Sequence, residues 1–235
     1  MHVTGIVPAA GSGTRMAAGL PKQYLSLGGV PLLTRTLQAL KASECLDDLI
    51  LVVPSGQEDR CRRGILDPFG ISVHAVVPGG ADRQASVYAG LLHARAETDL
   101  ILVHDGARPF VTPAVVRAAV SVAAESGGAV VAVPVTDTIK VADRDDWLVA
   151  TPERGRLWAA QTPQVFRAAV FREAHALALR DGVRTTDDSA LVERLGRPVR
   201  LVLGASENLK ITTTADLLLA DQILRARQLE AGRAG

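Results

Sequence analysis

The chain has 235 residues, of which 26 are basic and 25 acidic, giving a formal net charge of +1. That balance excludes a nucleic-acid coat or an acidic tail, and 48% hydrophobic against 22% charged residues excludes disorder. The longest apolar runs, Leu100 to Val103 and Ala129 to Val135, are too short to cross a bilayer, so neither a membrane nor a nucleic acid is an expected partner.

In chain order, an apolar run from Val3 to Pro8 comes first, with no basic segment or cleavage site before it, so no signal peptide is expected. A small-residue loop follows, Pro8-Ala9-Ala10-Gly11-Ser12-Gly13-Thr14-Arg15-Met16. Helical patterning then covers Pro31 to Lys41, Glu58 to Asp67, Gln84 to Ala96 and Pro113 to Glu125. Strand-like runs alternate with these helices: Leu49 to Val53, Ile71 to Val77, Leu100 to His104 and Ala129 to Val135. The runs are nearly unbroken Val, Ile and Leu, the pattern of strands buried on both faces of a mostly parallel sheet. Such alternation predicts right-handed crossovers and a three-layer α/β sandwich, with ligands beyond the carboxyl ends of the strands.

The pattern breaks at about 136–156. This polar, Asp-rich stretch holds two short β-like pieces, Thr138 to Val141 and Trp147 to Ala150, and predicts a projecting β-arm. Beyond it the spacing predicts helices over Ala168 to Leu179, Asp187 to Leu195 and Ala215 to Leu229, a strand over Val199 to Leu203, and a frayed tail from Glu230. No repeat or linker divides the chain, so residues 1–235 read as one domain with an arm. Cys45 and Cys61 lack metal-ligand spacing and read as reduced thiols of a cytoplasmic protein.

Three loops at the predicted carboxyl edge carry the chemistry. Small residues from Pro8 to Gly13 let a nucleotide approach the backbone, although a glycine pair after a strand is equally a tight turn. The loop lacks the third glycine of a dinucleotide fingerprint and the Gly-Lys-Ser/Thr of a P-loop. Only four of the basic residues are lysines, Lys22, Lys41, Lys140 and Lys210, so arginine is this chain's ordinary surface cation. Lys22 and Lys210 sit in loop-like contexts and are candidates for compact point charges, whereas Lys41 merely ends an amphipathic stretch. Arg15 and Lys22 share one irregular segment with no carboxylate nearby in sequence, which suits neutralising a reacting phosphate. In the second loop, Gly79 and Gly80 offer backbone to read a base and Ser86 offers a hydroxyl; the alternative is a Gly-rich turn with Asp82 as a helix cap. In the third, Asp105 can hold a hydroxyl or magnesium and Arg108 a phosphate, or the two can pair with each other.

Further segments complete the set: Pro21-Lys22-Gln23-Tyr24-Leu25, Gly79-Gly80-x-Asp82-Arg83-x-x-Ser86-Val87, Val103-His104-Asp105-Gly106-Ala107-Arg108-Pro109, Asp137-Thr138-Ile139-Lys140, Leu157-Trp158, Gln161-Thr162-Pro163-Gln164, Thr186-Asp187-Asp188 and Asn208-Leu209-Lys210-Ile211-Thr212. With the first loop, and in this order almost end to end, they resemble the 2-C-methyl-D-erythritol 4-phosphate cytidylyltransferase family. The first loop alone fits many nucleotidyltransferases; the 161–164 and 208–212 segments and the arm are more specific. The family often has Glu where Asp82 stands and Ala where Gly106 stands. The resemblance implies a Rossmann-like nucleotidyltransferase sheet. It implies that Pro8, Ala9, Ala10, Gly11, Gly13, Gly79, Gly80, Asp82 and Ser86 hold CTP, with Asp105 and Ala107 near the ribose. Arg15, Lys22 and Lys210 would neutralise the triphosphate, making them catalytic together with Arg154. The phosphorylated polyol would meet Asp105, Arg108 and Lys210 and, from the arm of a second subunit of a homodimer, Thr138 and Arg154. Magnesium would ride mainly on the CTP phosphates, with Asp105 as its candidate protein ligand.

The reaction so implied needs no base, because the attacking phosphate monoester is already anionic. His104 accordingly reads as a buried strand-end residue. Two alternatives stand beside this reading: another nucleotidyltransferase acting on a sugar phosphate, and a non-catalytic nucleotide-binding homologue. The 208–212 segment and the arm speak against the first, and Arg15, Lys22 and Lys210 together speak against the second.

Overall fold

The computed structural model describes residues 1–11 and 22–234. Strand β1 (Val3–Pro8), a 3-10 turn (Lys22–Tyr24), the small hairpin of β2 (Ser26–Leu27) and β3 (Val30–Pro31), and helix α1 (Leu32–Lys41) come first. Next are β4 (Asp48–Val53), α2 (Glu58–Cys61), β5 (Ala75–Pro78), α3 (Arg83–Leu91), β6 (Leu100–Val103), α4 (Pro113–Ser126) and β7 (Gly128–Pro134). The arm carries β8 (Val141–Ala142) and β9 (Leu148–Ala150). The chain ends with β10 (Trp158–Arg167), α5 (Ala168–Arg180), α6 (Asp188–Arg194), β11 (Arg200–Leu203) and α7 (Thr214–Ala234).

Seven strands form one sheet in the order β11-β7-β10-β6-β1-β4-β5. All run the same way except β10, which is antiparallel to both β6 and β7. Alternate residues of each strand feed the two faces, as the twofold side-chain period requires. Leu49, Leu51 and Val53 pack with α1 and α4 residues such as Leu37 and Val116, while Ile50 and Val52 pack with Val87, Leu91, Phe171 and Leu191 of α3, α5 and α6. The expected three-layer, mostly parallel α/β sandwich therefore forms. A third cluster, Leu25, Leu27, Leu32, Phe110 and Ile211, seats α7 through Ala220. Gly28 turns the β2–β3 hairpin at φ +56°, where an added Cβ would lie 2.4 Å from a Leu224 methyl, so only glycine lets α7 close on the hairpin.

Several elements depart from expectation. Strand β10 fills a stretch to which the sequence pattern assigns no element. Its Gln161, Thr162 and Gln164 are buried, and Pro163 sits where the pairing with β7 shifts register between Ala160 and Gln164, a bulge that spares a ladder donor. Helix α3 ends at Leu91 rather than running to Ala96, because Arg172 of α5 donates to the carbonyls of Leu91, Ala94 and Arg95 and terminates it. The helix expected to Asp67 stops at Cys61 and continues as a wider turn (Arg62–Leu66) and a 3-10 turn (Asp67–Phe69), where Pro68 lacks an amide donor. Strand β5 begins at Ala75, not Ile71: the ladder with β4 opens at Ala75 opposite Ile50, preceded by His74 N–H donating to Leu49 O at 2.7 Å, and Ile71 and Ser72 fall opposite residues that precede β4. The C-terminal stretch expected to fray continues α7 to Ala234.

Candidate active site

Because β1, β4, β5 and β6 are parallel, the loops after β1, β5 and β6 meet at one edge of the sheet. A cavity of about 430 Å³ opens there. Its floor is Pro8 to Gly11, one wall is Gly80 to Arg83 with Ser86, and the other is Asp105 to Ala107; Lys210 and Thr212 close it from before α7.

Each wall is fixed by local chemistry. Asp82 caps α3, one carboxylate oxygen accepting from Ala85 N–H at 2.8 Å while the other faces Arg184 at 3.3 Å. The Ser86 hydroxyl donates to the Asp82 carbonyl (2.8 Å) and accepts from Gly80 N–H (3.2 Å), folding the glycine turn back on the helix. A Cβ on Gly79 would lie 2.3 Å from the Ala10 Cβ, so the two loops approach as closely as glycine permits. Thr213 and Asp216 cap α7 reciprocally, Thr213 N–H donating to Asp216 at 2.8 Å and Asp216 N–H to the Thr213 hydroxyl at 3.2 Å. That cap, with the Ile211 N–H donating to Ala107 O at 2.9 Å, holds Lys210 over the cavity.

The third wall is held from beneath. Asp105 N–H donates to the Thr162 hydroxyl (3.0 Å), which lies 3.1 Å from His104 Nδ1, while His104 Nε2 lies 3.0 Å from the Arg108 carbonyl. A carbonyl only accepts, so Nε2 carries the proton and Nδ1 accepts from Thr162. Burial pushes His104 down to about 4, against the lift from its bonds to Arg108 and Thr162 and from Asp105, so the ring is neutral. It is the buried strand-end residue expected.

Asp105 is the electrostatic centre. Its Oδ1 accepts from Arg83 Nε at 3.0 Å, its Oδ2 meets Lys210 Nζ at 2.9 Å, and Arg108 Nε lies 3.7 Å from Oδ2. Burial alone would raise this carboxyl, but Arg83, Lys210 and Arg108 outweigh it and hold it well below the usual carboxylate range. Arg83 also reaches Asp188 at 2.7 Å. Burial by itself would lower the Arg83 guanidinium, and Asp188 and Asp105 reverse that, so it stays charged. Burial raises Asp188 despite Arg83. The arrangement can gather negatively charged ligands around Lys210, and among the described residues it offers no general base. Among the described residues no cluster of three His, Cys, Asp or Glu side chains forms a metal site. With both Asp105 oxygens on cations, a divalent ion here fits only if its other ligands come from phosphates.

The family model for 2-C-methyl-D-erythritol 4-phosphate cytidylyltransferase matches residues 3–226. The chain belongs to that family. A relative of that name from Pelotomaculum thermopropionicum is 45% identical over 234 residues, covering 99% of this chain and 98% of its own. One from Geobacter metallireducens is 47% identical over 231 residues, covering 97% and 99%. The solved 2-C-methyl-D-erythritol 4-phosphate cytidylyltransferase of Thermus thermophilus superposes with TM-score 0.78 at 38% identity, covering 96% of this chain and all of its own. A 4-diphosphocytidyl-2C-methyl-D-erythritol synthase from Anaerococcus prevotii superposes with TM-score 0.85 at 29% identity, covering 95% and 98%.

Of the residues expected at a cytidylyltransferase site, Pro8, Ala9, Ala10, Gly11, Gly80, Asp82, Ser86, Asp105, Ala107 and Lys210 line this one cavity. Gly79 lies just behind it, its N–H donating to Val53 O at 2.7 Å. Arg108 turns away from the opening, donating to Asn208 O at 2.6 Å and pairing with Asp105, so the ion-pair alternative is the geometry found. Asp82 likewise is both a helix cap and a lining residue. Thr138 and Arg154 are exposed on the arm and do not line the cavity; Arg154 donates to Thr136 O at 3.0 Å. Gly13, Arg15 and the Lys22 side chain lie outside the described residues. Sequence reasoning gave no role to Arg83, Thr162 or Asp188, although each stands in a quoted motif; nothing in sequence joins positions 83, 105, 162 and 188.

Proposed function

We propose that this cavity is where the chain performs its family's reaction, transfer of a cytidylyl group from CTP to 2-C-methyl-D-erythritol 4-phosphate, with release of pyrophosphate. The observation that carries the reading is the ammonium of Lys210, held over a nucleotide-sized cavity by a carboxylate that no base chemistry can use. The backbone of Ala9, Ala10 and Gly11 takes the nucleotide, with Gly80, Asp82 and Ser86 at the base and Asp105 and Ala107 at the ribose. Lys210, with Arg15 and Lys22, neutralises the triphosphate and the charge that develops at the α-phosphorus. Catalysis is then positioning and electrostatic stabilisation rather than proton transfer. Magnesium supplies further neutralisation on the CTP phosphates.

The acceptor side includes Asp105, Arg108 and Lys210 from one subunit, with Thr138 and Arg154 from the arm of a partner. The support is the exposed apolar content of the arm: Trp147 is 74% exposed, Leu148 62% and Val149 63%, a cost that a twofold neighbour would relieve. The test is pyrophosphate release across a panel of nucleotides and acceptors. CTP with methylerythritol phosphate should exceed every other pair, since a purine needs more room beside the glycine turn. Equal release with ATP or GTP overturns the cytidine reading, and CTP binding without release for any acceptor favours a nucleotide-binding homologue.

A further inference from the structure

Arg83 is the first residue of α3, yet its guanidinium does not follow the helix dipole into solvent. It lies between two carboxylates from elements far apart in sequence: Asp105 after β6, at 3.0 Å, and Asp188 at the start of α6, at 2.7 Å. The Asp188 side chain is only 2% exposed and the Asp105 side chain 8%. Lys210, the fourth member of the row, is 36% exposed and faces the cavity. Arg83 and Lys210 thus differ in kind. Arg83 is tied from behind by a buried acid, whereas Lys210 has open space and a flexible stem. An arriving phosphate competes with Asp105 alone for Lys210, whereas Arg83, which also lines the cavity and is 24% exposed, is held by two carboxylates at once.

We propose that Asp188 and Arg83 are positioning residues, a buried rear anchor that fixes the Asp105 carboxylate and through it aims Lys210 at the reacting phosphate. This rests on the reading of the cavity as the cytidylyltransferase site, which pyrophosphate release by the unaltered protein tests separately. The geometry uses the spread of a fork: Nε meets Asp105 and Nη2 meets Asp188, two nitrogens set apart on one rigid plane, whereas a lysine would have to reach both carboxylates with one nitrogen.

The experiment is a cycle of kinetic measurements on full-length protein. Asp188→Asn preserves shape and removes the charge that anchors Arg83. It should lower kcat about tenfold while changing the KM for CTP less than about threefold, the signature of a contact that matters in the transition state. Arg83→Lys should lose as much as Arg83→Gln. Lys210→Ala should lower kcat about a hundredfold, and adding Asp188→Asn to it should cost less than a further twofold, because the anchor acts through Lys210. A merely structural role would lower the melting temperature and multiply the two losses. If Asp188→Asn retains normal kcat, or if the losses multiply, the proposal is overturned. Should Asp188→Asn fail to fold, the Arg83→Lys and Lys210→Ala pair decides by the same additivity criterion.

Discussion

Asp105 touches Arg83, Arg108 and Lys210, and a carboxylate so ringed is held ionised well below neutrality. It follows that turnover should have no carboxylate limb near neutrality; a kcat–pH profile rising with a midpoint between 5 and 7 and abolished by Asp105→Asn would contradict this. Lys210→Ala should depress kcat about a hundredfold, about 3 kcal/mol of transition-state stabilisation, with a smaller effect on CTP binding by calorimetry. A second residue-scale outcome concerns Gly79. Its missing Cβ is the contact surface between two loops, 2.3 Å from the Ala10 Cβ and 3.0 Å from Ser86 Oγ. Gly79→Ala must push them apart, so CTP binding should weaken at least about tenfold while the circular dichroism spectrum stays unchanged. Retained affinity would mean that the nucleotide does not span that seam.

Among the elements, the arm is the one whose own packing leaves it unexplained. Strands β8 and β9 pair only with each other, and every residue from Thr136 to Thr151 is exposed. Two strands without a covered face are marginal in water. Trp147→Asp should therefore shift the protein toward monomer in sedimentation and lower activity at dilute concentrations. Mixing inactive Arg154→Ala with inactive Lys210→Ala protein under subunit exchange should restore roughly a quarter of the unaltered activity, assuming random pairing and independent sites. No recovery despite proven exchange would place Arg154 with its own subunit. The contrast between elements explains what a sequence reader can see. Strands such as β4 and β6 are legible because both faces are buried and nothing polar interrupts them. Strand β10 is illegible because Gln161, Thr162 and Gln164 look solvated. Their partners lie elsewhere: Gln161 donates to Ala205 O at 2.9 Å, and Gln164 Oε1 accepts from Ser189 N–H at 3.0 Å. Buried polar residues satisfied by partners 25, 44 and 57 positions away leave no local pattern. The site divides the same way. Its loops announce themselves by glycine and cation, while the buried row behind Asp105 depends on distant pairing.

For the molecule as a whole, two buried histidines set a limit in acid. His175 stacks on Tyr88 and meets Phe171 edge-on; burial, with the nearby Arg83 charge, pushes it down to about 4, as burial does His104. In an unfolded chain both titrate near 6.5. Between those values the unfolded chain binds the extra protons, so stability falls as pH drops from about 6.5 to about 4, by about 3 kcal/mol per histidine. Asp188 works the opposite way, since its raised carboxyl holds a proton longer in the folded state, and it offsets part of the loss at the lower end. Urea midpoints across this range should decline, and His175→Leu should flatten the decline by about one proton; an unchanged slope would locate the acid sensitivity elsewhere.

Strand β10 also joins two regions mechanically. It leaves the arm at Trp158, exposed, and within four residues is buried and holding the Asp105 amide through Thr162. From Trp158 to Ala160 the strand is tied to β7 alone and is paired on both sides only from Gln164, so strain at the arm runs through the bulge that holds Thr162 to the loop that carries Asp105. In the dimer proposed above, assembly and chemistry share one tie rod, and the exchange rate of the Asp105 amide proton is its gauge: capturing the arm should slow that exchange even with no nucleotide bound.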